Sequence, residues 1–342
     1  MRLFAFLCLL LLASCSRPIP EGVTELTYAM PYPPSHPFSQ ADQRWIDWVE
    51  SESLGTLRIR PIWSGSLLSA DMSMEELRHG VADIGLITPI YVRGGTHLLR
   101  IHTGFYSGAD SVESQVALYR CMEANIDQIG KELAGLKVLA VQGGLLPGVL
   151  TRNRPVHNLE DLRGLRIRAP TELIPVLRNL GADPVSMPMG ETYSALAKGV
   201  IDGVVAPTDT FRALHFVEVA KYFYEIKIPR GAYPARAMGM ERWNTLAPEE
   251  RALLERSTAV WEAALAEEIR ASEAVGREAG EGTIVYAQAS EQDQQAFDEL
   301  YLRDGQENAR RLSRFGIDGL AAFQFARSTI TGRDQVDCGD IS

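Results

Sequence analysis

The 342-residue chain carries 34 basic and 44 acidic side chains, a formal net charge of −10 at pH 7. An acidic chain without basic clusters argues against nucleic-acid binding, and any site for an anion must rely on a few local cations. The chain is long for one hydrophobic core, so two domains are expected.

Met1 and Arg2 precede an apolar run from Leu3 to Ala13. A membrane-spanning helix needs ~20 apolar residues, so this run is too short to span but suits the core of a secretory signal. It ends in Leu12-Ala13-Ser14-Cys15. Small residues just before a cysteine match a lipobox, which predicts a signal peptide over 1–14 and lipidation of Cys15. The alternatives are an ordinary signal with a cysteine there by chance, or an N-terminal membrane anchor. Residues 15–24 include Pro18 and Pro20 and read as a tether. The expectation is a lipoprotein held at a membrane outside the cytoplasm, in the periplasm. Charges or prolines interrupt every later apolar stretch.

Cys121 and Cys338 are the two cysteines of the body beyond the lipobox. In an oxidising compartment they can pair, stapling the C-terminal tail to an early helix, or they can remain two thiols. Neither CxxC nor HxxxH spacing occurs, so no metal site is expected.

A repeated pattern organises the chain. A strand-like segment over 57–63 and a helix over 73–79 lead into Leu77-Arg78-His79-Gly80-Val81-Ala82-Asp83-Ile84-Gly85-Leu86-Ile87. Its echo is Leu196-Ala197-Lys198-Gly199-Val200-Ile201-Asp202-Gly203-Val204-Val205. In both, a helix ends at a glycine suited to a left-handed cap; an acid and then a short buried strand follow. The second echo is led in by a strand over 165–169, a helix over 171–180, a strand over 184–187 and a short helix over 191–198. Alternating strands and helices in each half predict two α/β domains. Pro248 then opens a long helix, 248–276, with Leu254, Trp261, Leu265 and Ile269 on a stripe widened by Leu253, Val260 and Ala264. A stripe this wide favours packing across both domains. A strand over 283–286 and two helices, 291–315 and 316–331, complete the chain.

The stretch Asn158-Leu159-Glu160-Asp161-Leu162-Arg163-Gly164-Leu165-Arg166-Ile167-Arg168 resembles the DLKGLKIR segment of the solute-binding proteins of TRAP (tripartite ATP-independent periplasmic) transporters. Leu180-Gly181-Ala182-Asp183-Pro184-Val185-Ser186-Met187-Pro188 resembles their LGA-P-V-MPF segment. Glu191-Thr192-Tyr193-Ser194-Ala195-Leu196 with Gly199-Val200-Ile201-Asp202-Gly203 resembles their E-Y-ALQ-G-V-DG block. The likeness extends more weakly over about 26–243.

The resemblance implies a type II periplasmic binding protein-like α/β fold, with hinge strands joining two domains around a cleft that closes on ligand. Residues 25–144 and 232–270 would form domain I, and 145–231 and 271–342 domain II, with the long helix touching both. It implies a monomer without cofactors that binds a small organic acid and delivers it to TRAP membrane subunits. A ligand-sensing subunit for a sensor kinase or chemoreceptor would share this fold and is the alternative. No GxSxG, HExxH or phosphate-loop pattern is present, so an enzyme is not expected.

Arg168 is the leading candidate for the site. It stands at the carboxyl end of a strand, where open α/β sheets place their ligand crevice. A guanidinium there can grip a carboxylate through two parallel hydrogen bonds, or it can pair with Glu172. The resemblance places the family's acid-binding arginine at this position. Met187, Met189 and Tyr193 follow the second domain's strand. Thr88, Pro89 and Tyr91 follow the first domain's equivalent strand. Tyr32, His36 and Phe38 sit in or near a proline-rich loop, and Phe211 completes the candidate set. Three polar partners found in some family members fall at Gly148, Ala206 and Gly239 here. The expected pocket is therefore more apolar than usual, suited to a monocarboxylate with a hydrophobic or aromatic body.

Overall fold

A computed structural model describes residues 20–92 and 94–339. The signal segment and Cys15 lie outside the described residues. The chain runs through β1 (Thr24–Ala29), β2 (Leu57–Ile62), β3 (Ile84–Leu86) and β4 (Leu136–Gln142). It continues through β5 (Gly148–Thr151), β6 (Arg166–Arg168), β7 (Asp183–Val185), β8 (Gly203–Ala206) and β9 (Tyr222–Glu225) before β10 (Tyr233–Gly239) and β11 (Val285–Gln288). The two larger sheets have the orders β2-β1-β3-β10-β4 and β11-β9-β5-β8-β6-β7, and residues 330–332 and 335–336 pair as a small third sheet. The chain therefore crosses between the two larger sheets three times, over 143–147, over 226–232 and over 240–284. The first two crossings are tied together where the Ile228 N–H donates to the Pro147 carbonyl at 3.1 Å.

The repeated pattern has a structural cause. β1 pairs in parallel with β2 and β3, and β6 pairs in parallel with β7 and β8. Gly80 and Gly199 both adopt positive φ, +72° and +68°, which lets each helix stop and turn into its strand. The acids that follow do the same work in each unit. Asp83 Oδ2 accepts the Thr27 N–H of β1 at 2.7 Å, and Asp202 Oδ2 accepts the Arg166 N–H of β6 at 2.8 Å. The segment equivalent to 165–169 is thus β1, not the 57–63 segment that sequence spacing suggested; β2 corresponds to β7.

The long helix, Pro248–Gly280, is one turn longer than expected. Leu253, Leu254, Trp261, Leu265 and Ile269 bury one face of it in the first domain's core. Beyond Ile269 the buried positions become Ser272, Gly276 and Gly280. A side chain at Gly276 would collide with the Thr208 carbonyl, so glycine here lets the helix lie directly on the second domain.

A fully buried polar cluster lies under this helix. Arg236 of β10 donates from Nε to Asp42 Oδ1 at 3.0 Å, from Nη2 to Asp42 Oδ2 at 3.2 Å and from Nη1 to Gln142 Oε1 at 2.9 Å. Asp42 also accepts from the Tyr28 hydroxyl at 2.5 Å and from Trp261 Nε1 at 2.7 Å. Trp45 stacks on Trp261 at 3.6 Å and donates to Ser257 Oγ at 2.8 Å. Five elements meet here: β1, β4, β10, the helix Pro37–Glu52 and the long helix.

The C-terminal region divides between the domains, unlike the expected placement of 271–342 in domain II alone. Phe297 and Tyr301 of the helix Glu291–Arg310 join the second core. Ala322, Phe323 and Ala326 of the helix Gly319–Thr329 instead pack with Leu118, Tyr119 and Met122 in the first. The cause is the apolar face of that last helix, which covers the helix Val112–Asn125. Cys121 and Cys338 are joined as a disulfide, with Cα atoms 5.5 Å apart. Nearby, Asp334 Oδ1 accepts the Asp110 and Ser111 N–H groups at 2.7 and 2.6 Å.

Two stability predictions follow from this packing. Arg236→Met leaves the buried Asp42 carboxylate without its cation and should cost ~3–5 kcal/mol in urea unfolding. Replacing both Cys121 and Cys338 by serine should cost ~2–4 kcal/mol, read as a lower urea midpoint with ligand-free secondary structure unchanged.

Candidate functional site

The carboxyl ends of the parallel strands in both sheets face one another across a cavity of about 120 Å³. The first domain contributes Tyr32, His36 and Phe38 after β1, then Thr88, Ile90 and Tyr91 after β3. The second contributes Arg168, Glu172, Leu173, Met189, Val205 and Asp209. Pro229, Arg230 and Gly231 of the second crossing close the back, beside Tyr233.

Arg168 ends β6, whose central Ile167 is fully buried in the second core. Strand alternation puts Arg166 and Arg168 on one face, but the face changes environment along its length. Arg166 meets solvent and pairs with Asp183 at 2.9 Å, whereas Arg168 is only 2% exposed. Its Nε donates to the Met187 carbonyl at 3.0 Å and its Nη2 to the Tyr91 hydroxyl at 2.5 Å. The guanidinium also lies 5.9 Å from the Tyr91 ring centroid, a cation–π distance. Among the described residues no carboxylate comes within 4.0 Å of it, Glu172 included. The Tyr91 bond and the Thr171 Oγ1 bond to the Ile90 carbonyl, 3.2 Å, both span the cleft between domains.

Arg230 is a second guanidinium at the cavity, and sequence reasoning did not select it. It occupies the space where a Cβ at Gly144 would stand, so the glycine on one crossing admits the arginine on the other. The signal available was a cation held between Pro229 and Gly231 within a crossing. Two acids complete the electrostatics. Burial pushes the Asp209 carboxyl up to about 6, against the pull of Arg230, and Glu273 opposes its ionisation further. Burial likewise raises Glu172, against the Thr103 hydroxyl and the more distant Arg168 and Arg230. Two permanent cations thus face two acids biased toward their neutral forms, which favours an anion in the cavity.

On the opposite wall His36 stacks on Tyr32 at 4.1 Å, and its Nδ1 accepts the Phe38 N–H at 3.2 Å. Burial and the nearby Arg236 lower its pKa to about 3, so it stays neutral and caps the helix Pro37–Glu52.

The structure brings Arg168, Met189, Thr88, Tyr91, Tyr32, His36 and Phe38 to the cavity. It does not bring four others, of which Pro89 is buried and accepts the Thr96 hydroxyl at its carbonyl, 3.3 Å. Met187 offers its carbonyl to Arg168 while its side chain packs on the second core. Tyr193 donates to Glu218 Oε2 at 2.7 Å on the outer surface. Phe211 is fully buried, edge-on to Phe223 at 5.2 Å. A turn of helix carries each of Tyr193 and Phe211 away from the strand ends, which one-dimensional proximity does not show.

The missing polar partners also have a steric basis. A side chain at Gly148 would strike the Tyr224 carbonyl, and one at Gly239 would strike the Leu77 carbonyl. Ala206 pairs directly with Gly148 across β8 and β5. The pocket is nonetheless less apolar than those positions implied, because Arg230, Asp209, Glu172 and Tyr233 supply polar groups from elsewhere.

The model of bacterial extracellular solute-binding proteins, family 7 (DctP), matches residues 28–310. A solute-binding protein of Albidiferax ferrireducens is 29% identical over 181 residues, 51% of each chain, so the match spans about half of that relative's length. A TRAP periplasmic solute-binding protein from Desulfovibrio salexigens is 27% identical, with a TM-score of 0.69 over 90% of this chain and 97% of the other. The fold is shared at TM-score 0.80 and 23% identity with a TRAP solute-binding protein from Rhodoferax ferrireducens, solved with copurified benzoate; 90% and 98% of the chains are covered. Two α/β domains, a cleft at their strand ends and this family match together lead to one conclusion: the chain belongs to the family 7 bacterial extracellular solute-binding proteins.

Proposed function

We propose that this protein captures a small apolar monocarboxylate, the size of a monocyclic aromatic acid, in its interdomain cleft and delivers it to TRAP membrane subunits. The Arg168 guanidinium carries this reading. It is buried, two protein oxygens orient it, and among the described residues no carboxylate stands within ion-pair distance. A buried cation is costly unless paired, and a ligand carboxylate supplies the partner with two parallel hydrogen bonds. Arg230 adds a second cation on the hinge side.

The remaining wall supports an apolar body. Phe38, Ile90, Leu173, Met189 and Val205 line the cavity, with prolines around them. Its volume, about 120 Å³, is of the order of the ~150 Å³ engineered cavity that takes up benzene. The benzoate carried by the Rhodoferax relative fits this scale. Because Arg168 grips Tyr91 across the cleft, a carboxylate on Arg168 would also stabilise the closed arrangement of the two domains. The lipobox ending at Cys15 supplies the location: a lipidated protein tethered outside the cytoplasm, close to its permease.

Native mass spectrometry of the purified protein should show a copurified acid, and calorimetry should show benzoate-sized acids binding in preference to C4 dicarboxylates. Arg168→Ala should abolish that binding; unchanged affinity would sink the anchor assignment. Tyr91→Phe removes one cross-cleft bond and should weaken binding by about tenfold or less, while reducing the contraction seen by small-angle scattering at saturating ligand. Cys15→Ser should release the protein from the membrane fraction.

A further inference from the structure

The cavity holds more polar chemistry than a carboxylate clamp uses. Asp209, 6% exposed, lines it with Oδ1 buried and without a hydrogen-bond partner. Glu172 lines it with Oε2 in the same condition, with the Thr103 hydroxyl beside its carboxyl. Buried polar atoms are nearly always hydrogen-bonded, so two carboxylate oxygens left without a partner around one cavity need an explanation. Ion pairing does not provide it, since neither carboxylate lies within 4.0 Å of Arg168 or Arg230.

We infer that Asp209 and Glu172 read a hydroxyl group on the ligand, so that the solute is a hydroxylated apolar acid rather than a plain one. This rests on the carboxylate-capture reading above and narrows it. The arginines take the carboxylate end, and the unpaired acceptors take the donor hydrogen elsewhere on the same small molecule. A hydroxyl suits them better than an ammonium. Arg168 and Arg230 already place two cations at the cavity, and a third would be repelled. Burial also biases both acids toward their neutral forms, which weakens any attraction for a cation. A hydroxyl donates to a carboxylate and accepts from a protonated carboxyl, so it satisfies either state.

Thr103 belongs to the same device. Its backbone is pinned because the Tyr301 hydroxyl donates to its carbonyl at 2.9 Å, and Gly231 packs against its Cα. The side-chain hydroxyl is therefore presented at a fixed place beside Glu172.

The test uses matched pairs in titration calorimetry on the mature protein: benzoate against 3-hydroxybenzoate, and phenylacetate against mandelate. The hydroxylated member of at least one pair should bind about tenfold or more tightly, because a site built around a hydroxyl rejects the analogue lacking it. Asp209→Leu and Glu172→Met replace unpaired acceptors with apolar groups of similar size. At least one of them should shrink that advantage to about threefold or less, read as the ratio of affinities within each matched pair. Equal binding within both pairs by the unaltered protein would overturn this inference and leave carboxylate capture standing. Tighter binding of 3-(aminomethyl)benzoate than of either hydroxylated acid would also overturn it, in favour of an ammonium. Failure of every acid to bind would remove both readings together.

Discussion

The buried contact between Asp42 and Arg236 is the constraint on which the first domain depends. Both side chains are fully excluded from water, and each is satisfied by several partners rather than by one. A buried charge pair of this kind adds little stability over an apolar core, but removing either partner strands a charge. Its effect is therefore one of specification. Tyr28, Asp42, Gln142, Arg236 and Trp261 come from five separate elements, and only one mutual arrangement satisfies them all. Burial and the Asp42 carboxylate hold the Tyr28 phenol well above its ordinary range, so it serves as a donor here.

This cluster reaches the cleft by hydrogen bonds. Gln142 accepts from Arg236 and donates to the Tyr233 hydroxyl at 3.2 Å, and Tyr233 lines the cavity beside Arg230. The helix that carries Asp42 begins at His36, which is itself a cavity wall. The arrangement that orders the first core thus also places the surfaces that a solute meets. The segments that cross between the sheets, by contrast, are held by local bonds. Gln115 accepts the Gly144 N–H at 2.8 Å and donates to its carbonyl at 3.1 Å, fixing one crossing against the helix Val112–Asn125.

Much of the fold was legible because its signals are local. Gly80 and Gly199 announce helix ends by backbone freedom, and Asp83 and Asp202 follow them at equal spacing to bind a neighbouring strand's N–H. The stripe on the long helix follows from 3.6-residue periodicity. Arg168 was legible for a similar reason: strand polarity alone says which end of β6 opens into a crevice. The less legible part was the matching of β1 with β6, because the helix between β1 and β2 is far longer than the segment between β6 and β7. Spacing along the chain then misaligns the two units even though their sheet order agrees.

The amino-acid sequence by itself determined two α/β units, a long helix with an apolar stripe, an arginine at a strand's carboxyl end, and membership of a solute-binding family. Each depends on residues near one another in the chain, where periodicity and capping act. Only the tertiary structure decided what surrounds that arginine. Arg230 arrives from a crossing some sixty residues later in the chain, through space opened by Gly144. Asp209 and Glu172 become cavity groups because burial, not sequence, removes their water and shifts them toward neutrality. Tyr193 and Phe211 leave the cavity because a helical turn redirects them. Solvent exclusion is a property of the packed molecule, and it decides which of its polar residues face the cleft.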